Sequence, residues 1–150
     1  MYKRQIYESD DNPFWIMYPG SCGDLQPFAD LLINFQSCTR NTQILVAVWE
    51  YDDTFGVSAR EFADNLLEEW RTDSYYKLPW RNSVETHQGL WLELIRFESD
   101  YGDGTPSTGV AAFYTHDDAL FLMRLHYATK YKTENAPIVD FTLKSFTVLE

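Results

Sequence analysis

SAREFADNLLEEWR, residues 58–71, decides the fold. Ala59, Phe62, Ala63, Leu66, Leu67 and Trp70 recur at the three- and four-residue spacing that keeps side chains on one helical face. Ser58 and Glu61 form the S-x-x-E capping box, in which a hydroxyl takes up an N–H that the first turn leaves unpaired. The flanking sequence has another rhythm. TQILVAVWEY, at 42–51, is rich in β-branched and aromatic residues and alternates Ile44, Val46 and Val48 on one side, as a strand does. A capped amphipathic helix set among strands, with a second short helical stretch near the C-terminus, specifies an α+β sandwich.

Outward from this pair, residues 2–8 and 14–19 read as strands joined by a turn at 9–13. PGSCGDLQP, at 19–27, reads as a loop carrying Cys22, and a third strand follows near 31–36. Beyond the helix, Pro79 and Trp80 introduce a strand at 83–87. The Gln88-Gly89 turn and a strand at 90–98 come next. Residues 99–109 read as an exposed hairpin loop. VAAFYT and ALFLMRLHY flank His116-Asp117-Asp118 as an antiparallel pair. Asn135-Ala136-Pro137 predicts a helix start with proline in the first turn, and Val139, Leu143 and Phe146 fall on one face behind it. No repeat or linker interrupts the chain, so one domain is expected over 1–150.

The 150 residues carry 23 acidic and 12 basic side chains, a formal charge of −11. Such a field repels phosphate backbones and anionic lipid surfaces, so nucleic acid is not an expected partner. No run approaches the roughly 18 apolar residues of a membrane span, and no direct membrane insertion is expected. The sharper reading of the charge is a basic or amphipathic protein partner. MYKRQIYESDD at the N-terminus has the basic residues of a signal peptide without an apolar stretch after them. The chain reads as cytoplasmic as given, or as extracytoplasmic if a leader has been removed. Cys22 and Cys38 are too few for a disulfide scaffold and read as free thiols.

Chemistry leaves few signatures. His87, His116 and His126 lack the close spacing of metal ligands, and His116-Asp117-Asp118 is what a tight turn requires. No metal or cofactor is expected. G-x-S-x-G, a P-loop and G-x-G-x-x-G are absent. Cys22, between Ser21 and Gly23, is a conceivable nucleophile, but no base is indicated beside it. The competing reading is therefore a small hydrolase or metal-dependent enzyme using Cys22, or His116 with Asp118. The favoured reading is a non-enzymatic binding module. Its expected surface is the aromatic segment at the helix exit: Trp70, Tyr75, Tyr76 and Trp80. A helix that has buried Phe62, Leu66 and Leu67 leaves little room for four more rings. Rings left outside would be rimmed by Glu69, Arg71, Asp73 and Lys77, the apolar centre and polar border of an interface.

Along its length the chain resembles the PsbP/Mog-like family. Phe14-Trp15-Ile16-Met17-Tyr18-Pro19 resembles the opening strand of that family. Asn34-Phe35 and Ile44-Leu45-Val46-Ala47-Val48 resemble the next strand pair, and Ser58 to Ala63 the helix after it. Gln88-Gly89-Leu90-Trp91 and Leu143-Lys144-Ser145-Phe146 resemble the second hairpin and the closing segment. The resemblance implies an α/β/α sandwich around a curved, mainly antiparallel sheet. It also implies a protein-binding role as adaptor, effector chaperone or accessory subunit. In the favoured reading the concave sheet face or the aromatic edge holds the client. It implies no catalytic residues.

Overall fold

The computed structural model describes the backbone at residues 4–8, 14–19, 21–24, 31–39, 42–51, 56–100, 104–116 and 119–148, and side chains at 56–100, 104–116 and 120–148. Strands β1 (Arg4–Glu8), β2 (Phe14–Pro19), β3 (Ser21–Asp24), β4 (Leu31–Thr39) and β5 (Thr42–Tyr51) precede helix α1 (Ala59–Arg71). After it come β6 (Lys77–Glu85), β7 (Trp91–Asp100), β8 (Pro106–His116) and β9 (Ala119–Ala128). A 3-10 turn at Thr129–Tyr131, helix α2 (Lys132–Lys144) and a short β10 (Thr147–Val148) close the chain.

Seven strands form one sheet in the order β3-β4-β5-β9-β8-β7-β6, and each neighbouring pair is antiparallel. A smaller sheet, β1-β2-β10, lies beside α2. The alternation of strand side chains splits the core in two. Ala59, Ala63, Leu67 and Trp70 of α1 pack on Ile95, Phe97, Ala111 and Phe113 on one face. Ile138, Val139 and Leu143 of α2 pack on Leu92, Leu94, Phe121, Met123 and Leu125 on the other. The result is the α/β/α sandwich of an α+β protein. The two core layers bury aliphatic and aromatic surface at roughly 25 cal/mol per Å², the main term that holds the sheet between its helices.

Helix α1 begins as its capping box predicts: the Glu61 amide donates to Ser58 Oγ at 3.1 Å. Within the stripe, Ala59, Ala63, Leu67 and Trp70 are buried, while Phe62 and Leu66 are half-buried at its margin. Leu66 is therefore a flank rather than the centre of the packed face.

Four segments depart from expectation. The loop read at 19–27 contains strand β3, so Cys22 lies in a strand, next to a register shift between Ser21 and Gly23. Turn formers are compatible with such an irregular ladder. The loop read at 99–109 is shorter, because β7 runs to Asp100 and β8 starts at Pro106. Helix α2 starts at Lys132, not at Asn135, and Pro137 lies inside it. The buried positions Asn135, Ile138, Val139, Thr142 and Leu143 keep helical spacing through the proline. Their burial outweighs the single backbone bond that proline cannot make. Finally, β6 starts at Lys77 and includes Pro79, which a sheet tolerates because β6 is its edge strand.

The Gln88-Gly89 turn forms, with the Gly89 amide donating to Thr86 O at 2.9 Å and Gly89 at φ 89°. Gln88 also acts as a substitute strand partner for the chain end. Its Nε2 donates to Val148 O, its Oε1 accepts from the Val148 amide, and both bonds are 2.9 Å. The turn read at 9–13, the side chains of Cys22 and Cys38, and Asp117 and Asp118 lie outside the described residues. Among the described residues, no helix is long and apolar enough to cross a membrane.

Candidate docking surface

The aromatic segment leaves α1 through a built turn. Thr72 caps the helix end, its hydroxyl donating to Glu69 O at 2.9 Å. The Tyr75 amide donates to Asp73 Oδ1 at 2.9 Å, and the Tyr76 amide to Asp73 O at 3.2 Å. This reversal folds Tyr76 back onto Trp70. The two rings stack with centroids 3.9 Å apart and planes 6° from parallel. Phe97 meets both edge-on, at 5.3 Å from Trp70 and 5.0 Å from Tyr76.

Arg124 of β9 covers the cluster. Its guanidinium carbon lies 5.8, 5.4 and 5.1 Å from the ring centres of Trp70, Tyr76 and Phe97, and its Nη1 donates to the Tyr76 hydroxyl at 2.9 Å. A cation over ring faces is stabilising, more so where water is excluded. Gly109 makes room for Phe97: a Cβ there would stand 2.4 Å from Cζ of that ring.

Four rings in one exposed patch is thus not what the structure builds. Trp70 is 8% exposed and belongs to the core, and Tyr76 is half-buried against it. Only Tyr75, at 41%, and Trp80, at 51%, present large surface to water. Trp80 is also on the opposite face of the sheet. Its even-numbered neighbour Val84 packs in the α2-side core, whereas Arg81 turns to α1 and pairs with Asp64 at 2.8 Å. The reason is the two-residue period of a strand, which sends Trp80 and Arg81 to opposite sides.

A bulge prepares this edge. The β6–β7 register shifts between Lys77 and Trp80, and Leu78 within it has φ 50°, a left-handed conformation rare for a leucine. Leu78 is 78% exposed. The bulge is held on both sides. Lys77 pairs with Asp100, and Arg81 bonds Glu93 Oε2 and Leu94 O at 2.8 and 2.9 Å. Burial alone would lower the Arg81 pKa, but Glu93 and Asp64 outweigh it and raise it.

Leu78 and Trp80 border a cleft of about 640 Å³ that continues past Arg96 and Tyr127 to Lys132 and Ala136 at the start of α2. Arg96 faces Trp80 across the ladder, with its guanidinium carbon 5.9 Å from the ring centre and its Nε donating to Asn82 Oδ1 at 3.3 Å. Leu78, Arg96 and Lys132 are absent from the sequence reading. Two signals were available: a leucine just before Pro79, and an arginine that breaks the apolar series Leu92, Leu94.

The enzyme candidates are not brought together by the described residues. His116 ends β8 opposite Ala119, and its partner Asp118 lies outside the described residues, as does the Cys22 side chain. No group of three or more His, Cys, Asp and Glu side chains gathers among the described residues. His126 lies on the α1-side face of β9, where burial and then the charge of Arg124 lower its pKa to about 4.

No family model and no curated protein sequence matches the chain. Solved structures do. The solution structure of CyanoP, the cyanobacterial PsbP of Synechocystis sp. PCC 6803, superposes with a TM-score of 0.67 at 16% identity, over 97% of this chain and 92% of its own. A Pseudomonas aeruginosa protein of unknown function, described as a putative regulator, gives 0.64 at 12% identity, over 95% and 94% of the two chains. The Saccharomyces cerevisiae Ran-binding protein Mog1p gives 0.60 at 13% identity, over 100% and 97%. The chain has the PsbP/Mog-like fold that its sequence resemblance implies.

Proposed function

We propose that this chain is a non-enzymatic protein-binding module that docks a partner through the β6 edge of its large sheet. The observation that carries the reading is the pair Leu78 and Trp80. Both are apolar and open to water, and a braced bulge holds them outward in place of a loose loop. A leucine in the left-handed region costs of order 1–3 kcal/mol, and such strain gathers where a surface has a task. Tryptophan is also the residue type most enriched among interface anchors. Tyr75 extends the apolar surface on the α1 side, whereas Trp70 and Tyr76 serve as its support. The fold agrees with this reading in that one of its bearers is named a Ran-binding protein. Adaptor, chaperone and accessory subunit are forms of the same role, and each presents a partner with an amphipathic segment to this edge.

The test is site-specific photocrosslinking in the native organism. A benzophenone amino acid replaces Trp80 in one strain and Trp91 in another. Trp91 is also exposed but stands at the other end of β7. The expected result is a discrete protein adduct from position 80 and none from position 91. No adduct at position 80, or equal adducts at both, would overturn the reading.

A further inference from the structure

We infer that the cleft beside Trp80 accepts a partner polypeptide segment in which a carboxylate adjoins an apolar side chain. The inference rests on the docking reading above and adds the chemistry of the partner. It starts from a charge anomaly. Acidic residues outnumber basic ones in this chain by 23 to 12. Four of the nine described lysines and arginines answer to an acid: Arg71 to Glu68, Lys77 to Asp100, Arg81 to Asp64 and Glu93, Lys144 to Asp140. Arg96 and Lys132 have no carboxylate within ion-pair distance among the described residues, and both line this one cleft.

Arg96 is half-buried, so its charge is partly desolvated, and Asn82 and Trp80 fix its plane. A planar guanidinium held in this way is suited to a carboxylate. Helix α2 also begins at the cleft, with no side-chain cap on its N-terminus, and the exposed Glu134 in its first turn answers the helix dipole there. Glu98 is the acidic residue on the lining, and it offsets one of the two cations. The excess charge of the cleft is thus opposite in sign to that of the whole chain. Apolar surface from Leu78 and Trp80 borders these cations directly. The walls are open rather than closed into a tunnel, and the small side chain of Ala136 on the lining lets a main chain approach. A polypeptide laid across the edge fits this shape better than a buried acyl chain.

The probes are labelled dodecapeptides in which a central glutamate is flanked by leucine or phenylalanine, with matched sets carrying glutamine or lysine at the centre. Binding is read by fluorescence anisotropy on the full chain. The glutamate peptides should bind at least about tenfold tighter than the lysine peptides, with a preference that shrinks as salt rises. Exposed Lys132, changed as Lys132→Glu, should abolish most of that preference without disturbing the fold. Arg96→Gln should do the same, and Trp80→Ala should weaken all three sets together. Lysine peptides that bind as well as glutamate peptides, yet lose binding in Trp80→Ala, would overturn the charge assignment and leave the docking reading standing. Glutamate binding untouched by Trp80→Ala would overturn both. Saturable binding of dodecanoate with no peptide binding would move the cleft to acyl chains and overturn the proposal.

Discussion

Trp70 and Tyr76 lie stacked beneath Arg124, while Trp80, a few residues later, stands half in water on the other face of the same sheet. Composition does not distinguish the two regions, since both are aromatic and both have an arginine nearby. What separates them is geometry. The first pair continues the apolar stripe of α1 and closes one core layer. Trp80 sits beyond a bulge, at a strand position whose parity sends it away from α1. Aromatic density marks a stretch as important, but only register and face decide whether it serves the core or a partner.

The comparison breaks most sharply on Trp70. Trp70→Ala should cost about 3–5 kcal/mol in urea unfolding, as large aromatic truncations in cores do. A loss within about 0.5 kcal/mol would place the ring outside the core. The stripe beneath it can be sharpened in the same way. Leu67→Ala should cost about 2–5 kcal/mol, and half-buried Leu66→Ala clearly less. Equal costs would mean that the helix face is rotated.

Acid tests the same face from β9. The pKa of His126 is about 4 in the folded protein against an ordinary 6.5, so the unfolded chain takes up the proton more readily. Its contribution to stability is whole above pH 6.5 and is lost as the pH falls towards 4. The loss is up to about 3 kcal/mol. His126→Gln should unfold with a flatter dependence on pH across that window, measured by urea midpoints. An unchanged slope would show that other groups set the acid response. Gly109→Ala is a smaller case. Its new methyl meets the Phe97 ring and should cost about 1–3 kcal/mol, with part of the loss recovered when Phe97→Leu is added. Purely additive losses would argue against that contact.

The fold was legible because its signals are local and repeated. The capping box at Ser58 and Glu61, the stripe of α1 and the alternation of 42–51 each report a period that survives packing. Strand ends were less legible. Pro79 and the turn formers after Pro19 read as loop, and only their place at an irregular ladder or a sheet edge makes them strand. The surface was half legible. Composition marks Trp80 and Tyr75, and equally Trp70 and Tyr76, because spacing in sequence does not say on which side of a sheet a ring emerges. Arg96 and Lys132 are far apart in the chain, and nothing local joins them. The pairing of β6 with β7 and the packing of α2 on the sheet bring them to one cleft.

The docking claim is tested most directly by one variant measured twice: Trp80→Ala in equilibrium urea unfolding, and in retention of the protein that crosslinks at position 80. The expected result is stability within about 0.5 kcal/mol of the parent, with retention weakened by about 2 kcal/mol or more, some thirtyfold. A large loss of stability, or retention equal to the parent's, would contradict a partner surface at the β6 edge.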